Sequence, residues 1–206
     1  FEATKAFTSK VLAQQKIPVC IGGDHSITPG IVTAFPEDIA VVSLDAHMDF
    51  RQKYKNDIYN HACVIRRIAD HIPLQNIAVL GIRSAEKEEH EQALQQGLFF
   101  RDAFTINTTG IQKTIQQTKT LLKGKKIYLT LDIDVIDPAY APGTSTPEPL
   151  GLIPMQIIDI IEAISPQMIG CDVVEVCPPY DQGQTAVLAA KLLHTCISCI
   201  WKNREA

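Results

Sequence analysis

The feature that most constrains the fold is a regular alternation along the chain of short apolar runs and longer segments with helical periodicity. Residues 39–44 (IAVVSL) are apolar at nearly every position, which is typical of a strand that is covered on both faces. Sheets covered on both faces are normally parallel, with helices as crossover connections. The alternation therefore predicts an α/β fold with a mostly parallel central sheet.

The predicted elements follow one another closely. Strands are predicted at residues 17–21, 39–44, 76–80, 126–131 and 168–176, and we count about six strands in all. Helices are predicted at residues 1–16, 26–35, 62–71, 85–96, 110–123, 154–164 and 183–201. The first helix is expected to be amphipathic, with Phe1, Phe7 and Leu12 among its apolar positions. Because no linker or repeat interrupts this order, residues 1–206 are predicted to form a single domain.

The composition excludes several classes of protein. Hydrophobic residues make up 46% of the 206 residues and charged residues 20%, so the chain can bury a core. A net charge of −4 without a basic run argues against nucleic-acid binding. No apolar run has the length of a membrane span and no signal peptide is recognised, so we expect a cytoplasmic protein without a membrane partner. The six cysteines, including Cys196 and Cys199 on a predicted helix, are expected to be reduced thiols.

Carboxylates and histidines collect where predicted strands end. They are His25, in GGDHS; Asp45, His47 and Asp49, in DAHMD; and Asp132 and Asp134, in LDID. Ligands of open parallel sheets bind beyond the carboxyl ends of the strands. Side chains at i, i+2 and i+4 of an extended backbone project to the same side, so the last two groups are each predicted to converge. Before His25, the Gly22-Gly23 pair permits a sharp turn.

These six side chains are predicted to bind metal. Four crowded carboxylates stay ionised at neutral pH only if cations compensate their charge, and one divalent ion would leave too much of it uncompensated. Oxygen-rich ligands with a few imidazoles suit Mn²⁺ better than zinc. A lone aspartate at a strand end is more often a turn or helix cap, and Asp24 and Asp137 are expected to be caps of this kind.

Three blocks of the sequence resemble the ureohydrolase family, which includes arginase and agmatinase: residues 22–26 (GGDHS), 45–49 (DAHMD) and 131–149 (LDIDVIDPAYAPGTSTPEP). The likeness runs from about residue 10 to the C-terminus. It implies a three-layer α/β/α fold with an eight-stranded parallel sheet. Since fewer strands are counted and the chain begins Phe1-Glu2-Ala3 without methionine, we expect that N-terminal strands are missing from it.

The resemblance also implies roles for the ligands. Asp45 and Asp132 would bridge two Mn²⁺ ions. His25 and Asp49 would complete one ion's site, and the other would be completed by His47 and Asp134. A hydroxide that bridges the ions would attack a guanidino carbon and yield urea and an amine, so Asp49 is also counted among the catalytic residues.

Two further residues fall on segments that match the family. His61 lies where the family has a histidine that passes protons to the departing amine and contacts substrate; alternatively it is a surface-loop histidine. Glu175, in VVEVCPPYD, lies where a glutamate pairs with the guanidinium, or it forms a surface ion pair. Thr144 and Thr146 either shape the substrate pocket, with Thr146 as a substrate-binding residue, or are turn residues.

The substrate depends on loops outside the ligand set. Those loops are chiefly residues 50–61 and 83–97. Residues 50–54, 59–61 and 81–84 and the PPYD segment at 178–181 resemble the agmatinase branch, so a small cationic guanidino substrate is expected, with agmatine first and putrescine, a polyamine, as product. Guanidinobutyrate, aminopropylagmatine and arginine are alternatives, as are a non-catalytic family member and another two-metal hydrolase. Acidic residues at 86, 88, 89 and 91 either favour a cationic tail or form a solvated helix face.

The chain departs from the family pattern at two places in the third block. Ser145 stands where the family usually has the second glycine of GTGTP, and Leu150 follows PEP where glycine is common. Each replacement adds a Cβ atom and restricts the backbone, which could alter the loop and thereby substrate choice. The family commonly forms homo-oligomers, trimers or hexamers, and the same is expected here.

Overall fold

The central sheet has six parallel strands in a computed structural model that describes residues 1–36 and 38–205; Glu37 and Ala206 of the predicted domain lie outside the described residues. The strands are β1 (Val19–Ile21), β2 (Ile39–Leu44), β3 (Ile77–Ile82), β4 (Phe99–Asp102), β5 (Lys126–Asp132) and β6 (Met168–Val174). Their order across the sheet is β1-β6-β5-β2-β3-β4. The predicted α/β fold with a mostly parallel sheet is therefore confirmed, with six strands in the described part of the chain rather than the eight of the resemblance.

Helices cover both faces of the sheet. They are α1 (Glu2–Ala13), α2 (Thr28–Val32), α3 (Val64–Ala69), α4 (Lys87–Gln95), α5 (Ala103–Thr109), α6 (Ile111–Leu121), α7 (Pro154–Ile164) and α8 (Gln184–Glu205). Side chains of α5 to α8 pack with Ala40 and Val42 in one core cluster, whereas side chains of α2, α3 and α4 pack with Ile39 and Val41 in another. Successive residues of β2 thus face opposite helical layers, which confirms the three-layer α/β/α arrangement.

Two elements were not predicted. Strand β4, with the sequence FFRD, is a half-buried edge strand that contains Arg101 and Asp102. Its short, partly charged sequence lacks the apolar run that marks the central strands. Helix α5 follows at once and is capped by Asp102, whose Oδ1 accepts a hydrogen bond from the amide of Thr105 at 2.7 Å. For that reason the sequence pattern predicted neither element.

The first helix is confirmed, and Phe1 and Leu12 are half-buried, but one of its predicted apolar positions is exposed. Phe7 is 67% exposed, whereas Thr8 is buried and donates its hydroxyl to the carbonyl of Thr4. The second predicted helix is also shorter than expected, because a 3₁₀ turn at His25–Ile27 precedes α2.

Two further observations concern the cysteines and the helices. All six cysteines are free thiols, and Cys196 and Cys199 lie on α8 rather than at a zinc ribbon. Among the described residues, the helices are too short or too polar to cross a lipid bilayer.

Candidate metal centre

Four adjacent strands bring the predicted ligands to one edge of the sheet. Strand β2 pairs with β5 so that Leu44 lies opposite Leu131, and Asp45 and Asp132 are the next residues of the two strands. Strand β6 lies on the other side of β5 and pairs with β1, which leads into His25. The parallel register therefore gathers residues that are more than a hundred positions apart in the sequence.

One cluster surrounds the imidazole of His25, which is 1% exposed. Its Nδ1 atom lies 3.2 Å from Asp45 Oδ2, 3.2 Å from Asp132 Oδ2 and 3.6 Å from Asp49 Oδ2. His25, Asp45 and Asp132 offer ligand atoms close enough to hold one metal ion. Asp49 is not one of these three residues, because its carboxylate lies slightly farther from His25.

A second cluster surrounds His47 and shares Asp45 with the first. The Nδ1 atom of His47 lies 2.9 Å from Asp134 Oδ2 and 3.6 Å from Asp45 Oδ1. His47, Asp45 and Asp134 also offer atoms that could hold a metal ion. Because Asp45 presents one oxygen to each cluster, the two sites are neighbours.

The side chains converge through turns, not through the extended backbone that was predicted. Asp49 has a φ of 49° and so lies in the left-handed region. Asp134 lies in a 3₁₀ turn, Ile133–Val135. Asp132 caps this turn, because its Oδ1 atom accepts a hydrogen bond from the amide of Asp134 at 3.0 Å. Each turn rotates the later carboxylate back toward the earlier one.

The reason for Gly22 also differs from the prediction. Neither Gly22 nor Gly23 has a positive φ, so the pair is not needed for backbone freedom. A Cβ atom on Gly22 would instead lie 2.5 Å from Ile27 Cδ1 and 2.7 Å from Val174 Cγ1. The absence of a side chain at Gly22 allows the segment before His25 to approach β6.

The donor atoms fit divalent cations. His25 Nδ1 and Asp45 Oδ2 are buried and make no hydrogen bond of good geometry within the described chain, although they lie close together. An ion bound at about 2.0–2.2 Å to two ligands at right angles sets those ligands about 3 Å apart. The observed separations near 3.2 Å match this spacing, so buried polar atoms without partners have the arrangement of a coordination site.

Charge coupling in the clusters is strong. Burial opposes the charge of His47, but nearby carboxylates raise its pKa to about 11. The same balance raises the pKa of His25 well above its usual value. Burial raises the pKa of Asp45, yet its close contacts with the imidazoles of His25 and His47 outweigh burial and lower that pKa. Burial and neighbouring carboxylates raise the pKa of Asp49 and Asp132 well above the usual range. Divalent cations would favour the ionised carboxylates and displace these protons.

A buried network fixes the far side of His25, and sequence reasoning missed it. His25 Nε2 lies 2.9 Å from Thr130 Oγ1, whose hydroxyl donates to Asp172 Oδ1 at 2.6 Å. Thr28 and Tyr128 also donate to Asp172, each at 2.9 Å. Since the single proton of Thr130 goes to Asp172, its oxygen accepts the Nε2 proton, and Nδ1 faces the carboxylates. The sequence did contain a signal for this network. Asp172 lies within the apolar run of β6, and a buried charge needs polar partners.

The clusters open into a cavity of about 240 Å³. It is lined by His47, Met48, Asp49, Arg51, Tyr54, His61, Ala62, Ser84, Glu89, Asp132, Asp134, Thr146 and Glu175. Of the predicted site residues, His25 and Asp45 lie behind this wall and the other seven are on it. Thr144 is buried and makes an isolated bridge with Val176, so it belongs to the support of the loop rather than to the cavity.

Two of the three predicted substrate residues, Glu175 and His61, differ in how firmly they are held. Glu175 has a φ of 62°, its Oε1 atom accepts the amide of His25 at 2.7 Å, and it is held against the clusters. The His61 side chain is 45% exposed, and its Nδ1 atom lies 3.8 Å from Asp24 Oδ2. Asp24 also caps the 3₁₀ turn through the amide of Ser26, which confirms it as a cap.

The outer wall of the cavity carries two charged residues, Arg51 and Glu89. Glu89 was expected either to favour a cationic tail or to lie on a solvated helix face. It is buried, so it does not lie on a solvated face, and it accepts a hydrogen bond from the amide of Phe50 at 2.7 Å. Arg51 lies 3.1 Å from Glu86 Oε1 and 3.5 Å from Glu89 Oε2, and its guanidinium stacks 5.1 Å from the ring of Tyr54. The Glu86–Glu89 capping box at the start of α4 places both carboxylates beside Arg51.

These features define an α/β protein with a candidate two-metal centre at the carboxyl edge of a parallel sheet. The sequence profile of the arginase family matches residues 1–199, and the chain belongs to that family.

Named relatives share most of this chain. The agmatinase of Halalkalibacterium halodurans is 34% identical over 195 residues, which are 92% of this chain and 65% of that protein. The mitochondrial guanidino acid hydrolase of Homo sapiens is 36% identical over 193 residues, which are 89% of this chain and 55% of that protein. The crystal structure of the agmatine ureohydrolase of Thermoplasma volcanium superposes with a TM-score of 0.92 and 40% identity, and covers 99% of this chain and 69% of that chain. The chain thus spans less than two thirds of the length of these two curated relatives.

Proposed function

We propose that this protein is an agmatinase-like ureohydrolase that cleaves agmatine to putrescine and urea with two Mn²⁺ ions per subunit. The observation that carries the proposal is the pair of His and carboxylate clusters, one buried and one partly exposed at His47, that share Asp45 and adjoin a cavity lined by Glu175 and His61. Similarity to an agmatinase and to an agmatine ureohydrolase supports the substrate.

The six ligands would divide between two cations. His25 and Asp49 would hold one, His47 and Asp134 the other, and Asp45 and Asp132 would contact both. Two bound divalent cations would offset the carboxylate charge and supply a water-derived nucleophile near neutral pH. Oxygen-rich ligands with two imidazoles favour Mn²⁺ over zinc. The Thr130–Asp172 pair holds His25 with Nδ1 facing the carboxylates.

Glu175 would bind the guanidinium of the substrate. A carboxylate can accept two parallel hydrogen bonds from a planar guanidinium, which fixes its orientation as well as its charge. Because Glu175, Asp132 and Asp134 line the same cavity, a guanidinium held there lies beside the clusters. Thr146 would contact substrate at the same wall, where its hydroxyl lies 3.4 Å from Asp134 Oδ2.

His61 would move the proton that the departing amine needs. It lines the cavity, remains accessible to solvent and lies near the carboxylate of Asp24. An imidazole can accept and release protons near neutral pH. A His61→Ala variant is therefore expected to lower kcat by about 10²–10⁴-fold.

A second substrate class, the guanidino acids, is favoured by one observation. Arg51 is a fixed cation on the outer wall, and Glu86, one of its partners, has a side chain that is 64% exposed. A substrate carboxylate could replace that exposed partner. Similarity to a guanidino acid hydrolase agrees with this alternative, whereas the acidic pair Glu86 and Glu89 favours the cationic tail of agmatine.

Several further properties belong to the same proposal. Residues 1–206 would act as one domain, in a cytoplasmic homo-oligomer of three or six subunits that contributes to polyamine synthesis. A non-catalytic family member is the competing interpretation, and the complete ligand set argues against it.

The test is urea release from agmatine, guanidinobutyrate and arginine by protein stripped of metal and then reloaded with Mn²⁺. We expect urea from agmatine only after reloading, and its loss in Asp132→Ala. Asp159→Ala, on α7 and outside the cavity wall, is the matched control and should retain activity. Faster turnover of guanidinobutyrate would favour the second substrate class, and no urea from any of the three with Mn²⁺ bound would contradict the ureohydrolase proposal.

A further inference from the structure

Ser145 occupies the position where the family usually has glycine, and its hydroxyl contacts the residue assigned to the guanidinium. Its Oγ atom donates to Glu175 Oε2 at 3.2 Å. The other oxygen, Oε1, accepts the amide of His25 at 2.7 Å. The chain therefore holds the Glu175 carboxylate at both of its oxygens.

We propose that Ser145 is a positioning residue that fixes the plane of the Glu175 carboxylate for a guanidinium, an inference that rests on the proposed function of Glu175. The last torsion of a glutamate side chain is broad, so a carboxylate held at one oxygen can still pivot. The Ser145 hydroxyl restrains the second oxygen. Each oxygen has two acceptor sites, so one remains on each for a paired contact with substrate.

The backbone around both residues is held firmly enough to give this contact a constant geometry. The amide of Glu175 donates to the carbonyl of Gly23 at 2.9 Å, and the residue keeps a positive φ. On the other side, the amide of Cys177 donates to the carbonyl of Gly143 at 2.7 Å. The loop that carries Ser145 is thus tied to the segment that follows Glu175.

Ser145 acts through Glu175 rather than on the substrate. Its neighbour Thr146 lines the cavity together with Glu175, whereas Ser145 is not part of the cavity wall. Ser145 is also exposed and has no positive φ. Alanine and threonine should therefore fit this position, and variants can remove or retain the hydroxyl without disturbing the core.

The experiment compares wild type with Ser145→Ala, which lacks the hydroxyl, and Ser145→Thr, which retains it. With agmatine, we expect Ser145→Ala to raise KM by about threefold to tenfold and to change kcat by less than about twofold, since the lost contact acts on binding. Ser145→Thr should restore the wild-type KM. Ser9→Ala, on α1 and outside the cavity wall, is the matched control.

A second measurement separates guanidinium binding from the tail and from catalysis. The affinity of Mn²⁺-loaded protein for the guanidinium ion is measured by calorimetry, and the affinity for putrescine, which lacks that group, is measured alongside. Ser145→Ala should weaken guanidinium binding by the same factor as KM and leave putrescine binding unchanged. A merely structural role would shift both ligands or the melting temperature.

The outcomes distinguish this inference from the proposed function. If Ser145→Ala weakens guanidinium binding, the role of Ser145 is supported. This holds even if the wild-type protein releases no urea, because that result contradicts only the ureohydrolase proposal. Urea release with unchanged KM and unchanged guanidinium affinity in Ser145→Ala overturns the role of Ser145 alone. Wild-type protein that does not bind guanidinium overturns it as well.

Discussion

Replacing Thr130 with valine tests the buried network behind the candidate metal centre. Valine has nearly the shape of threonine but lacks the hydroxyl that lies between His25 Nε2 and Asp172 Oδ1. The variant therefore removes two hydrogen bonds and leaves the packing of β5 almost unchanged. Thr28 and Tyr128 would remain as donors to Asp172.

The cost follows from the burial of the three residues. Thr130 and Asp172 are 0% exposed and His25 is 1% exposed, so water cannot replace the lost partner. An unsatisfied buried donor costs about 1–3 kcal/mol, and a hydrogen bond to a charged group contributes about 1.5–3 kcal/mol. The free energy of unfolding should fall by about 3–5 kcal/mol, a large part of the stability of a domain.

Metal affinity should fall as well. Without Thr130 as acceptor, the Nε2 proton of His25 has no fixed partner, and the imidazole loses the contact that keeps Nδ1 toward the carboxylates. Loss of such a partner typically weakens metal binding by about 10–100-fold. This effect is additional to the loss of stability, because it is measured on folded protein.

The assay is denaturant unfolding in EDTA, followed by calorimetric titration of the folded protein with Mn²⁺. Thr130→Ser is the matched control, because it keeps the hydroxyl and loses only a methyl group, at a cost of about 1 kcal/mol. The reasoning is refuted if Thr130→Val unfolds within about 0.5 kcal/mol of wild type, or if valine and serine weaken Mn²⁺ binding equally.

Two other substitutions test the framework of the site. Gly81→Ala should lower the free energy of unfolding by about 2–5 kcal/mol, because Gly81 has a φ of 104° and a Cβ atom there would lie 2.5 Å from Val135 Cγ2. Denaturant unfolding of the variant that matches wild type would contradict this prediction. Asp102→Ala should lower the free energy of unfolding by about 1 kcal/mol, because it removes the cap of α5. Burial raises the pKa of Asp102, but hydrogen bonds from Thr105 lower it by more, so the pKa is lower in the folded protein. The stabilisation by the ionised cap is therefore present above pH about 4 and is lost as the pH falls through the lowered pKa. Unfolding of the Asp102 variant at pH 7 and at pH 3 measures this, and a difference from wild type that is the same at both pH values would argue against the cap.

The central strands and the candidate ligands could be predicted because their signals are local. The run at residues 39–44 is apolar on both faces, and the structure covers it with helices on both sides. Asp45, His47 and Asp49 are neighbours in one motif, so their chemistry is visible without a fold. Their convergence was predicted for the wrong reason, since Asp49 reaches the cluster through a left-handed turn.

Edge elements and exposed faces were harder to predict. Strand β4 is paired on one side and half-buried, so its sequence carries charges that hide the strand pattern. Phe7 satisfied the helical periodicity of α1, yet it is exposed. Apolar periodicity indicates which residues can be buried, but the surrounding elements decide which of them are covered.

The sequence by itself determined the layered architecture and the residues that could hold metal, because hydrophobic periodicity and motif spacing are properties of short segments. Only the tertiary structure decided that Asp172 supports His25, that Ser145 contacts Glu175 and that Glu89 enters the cavity wall. These contacts join residues that are 30 or more positions apart, such as Ser145 and Glu175. Their meeting depends on the order and register of the parallel strands, which no single segment encodes.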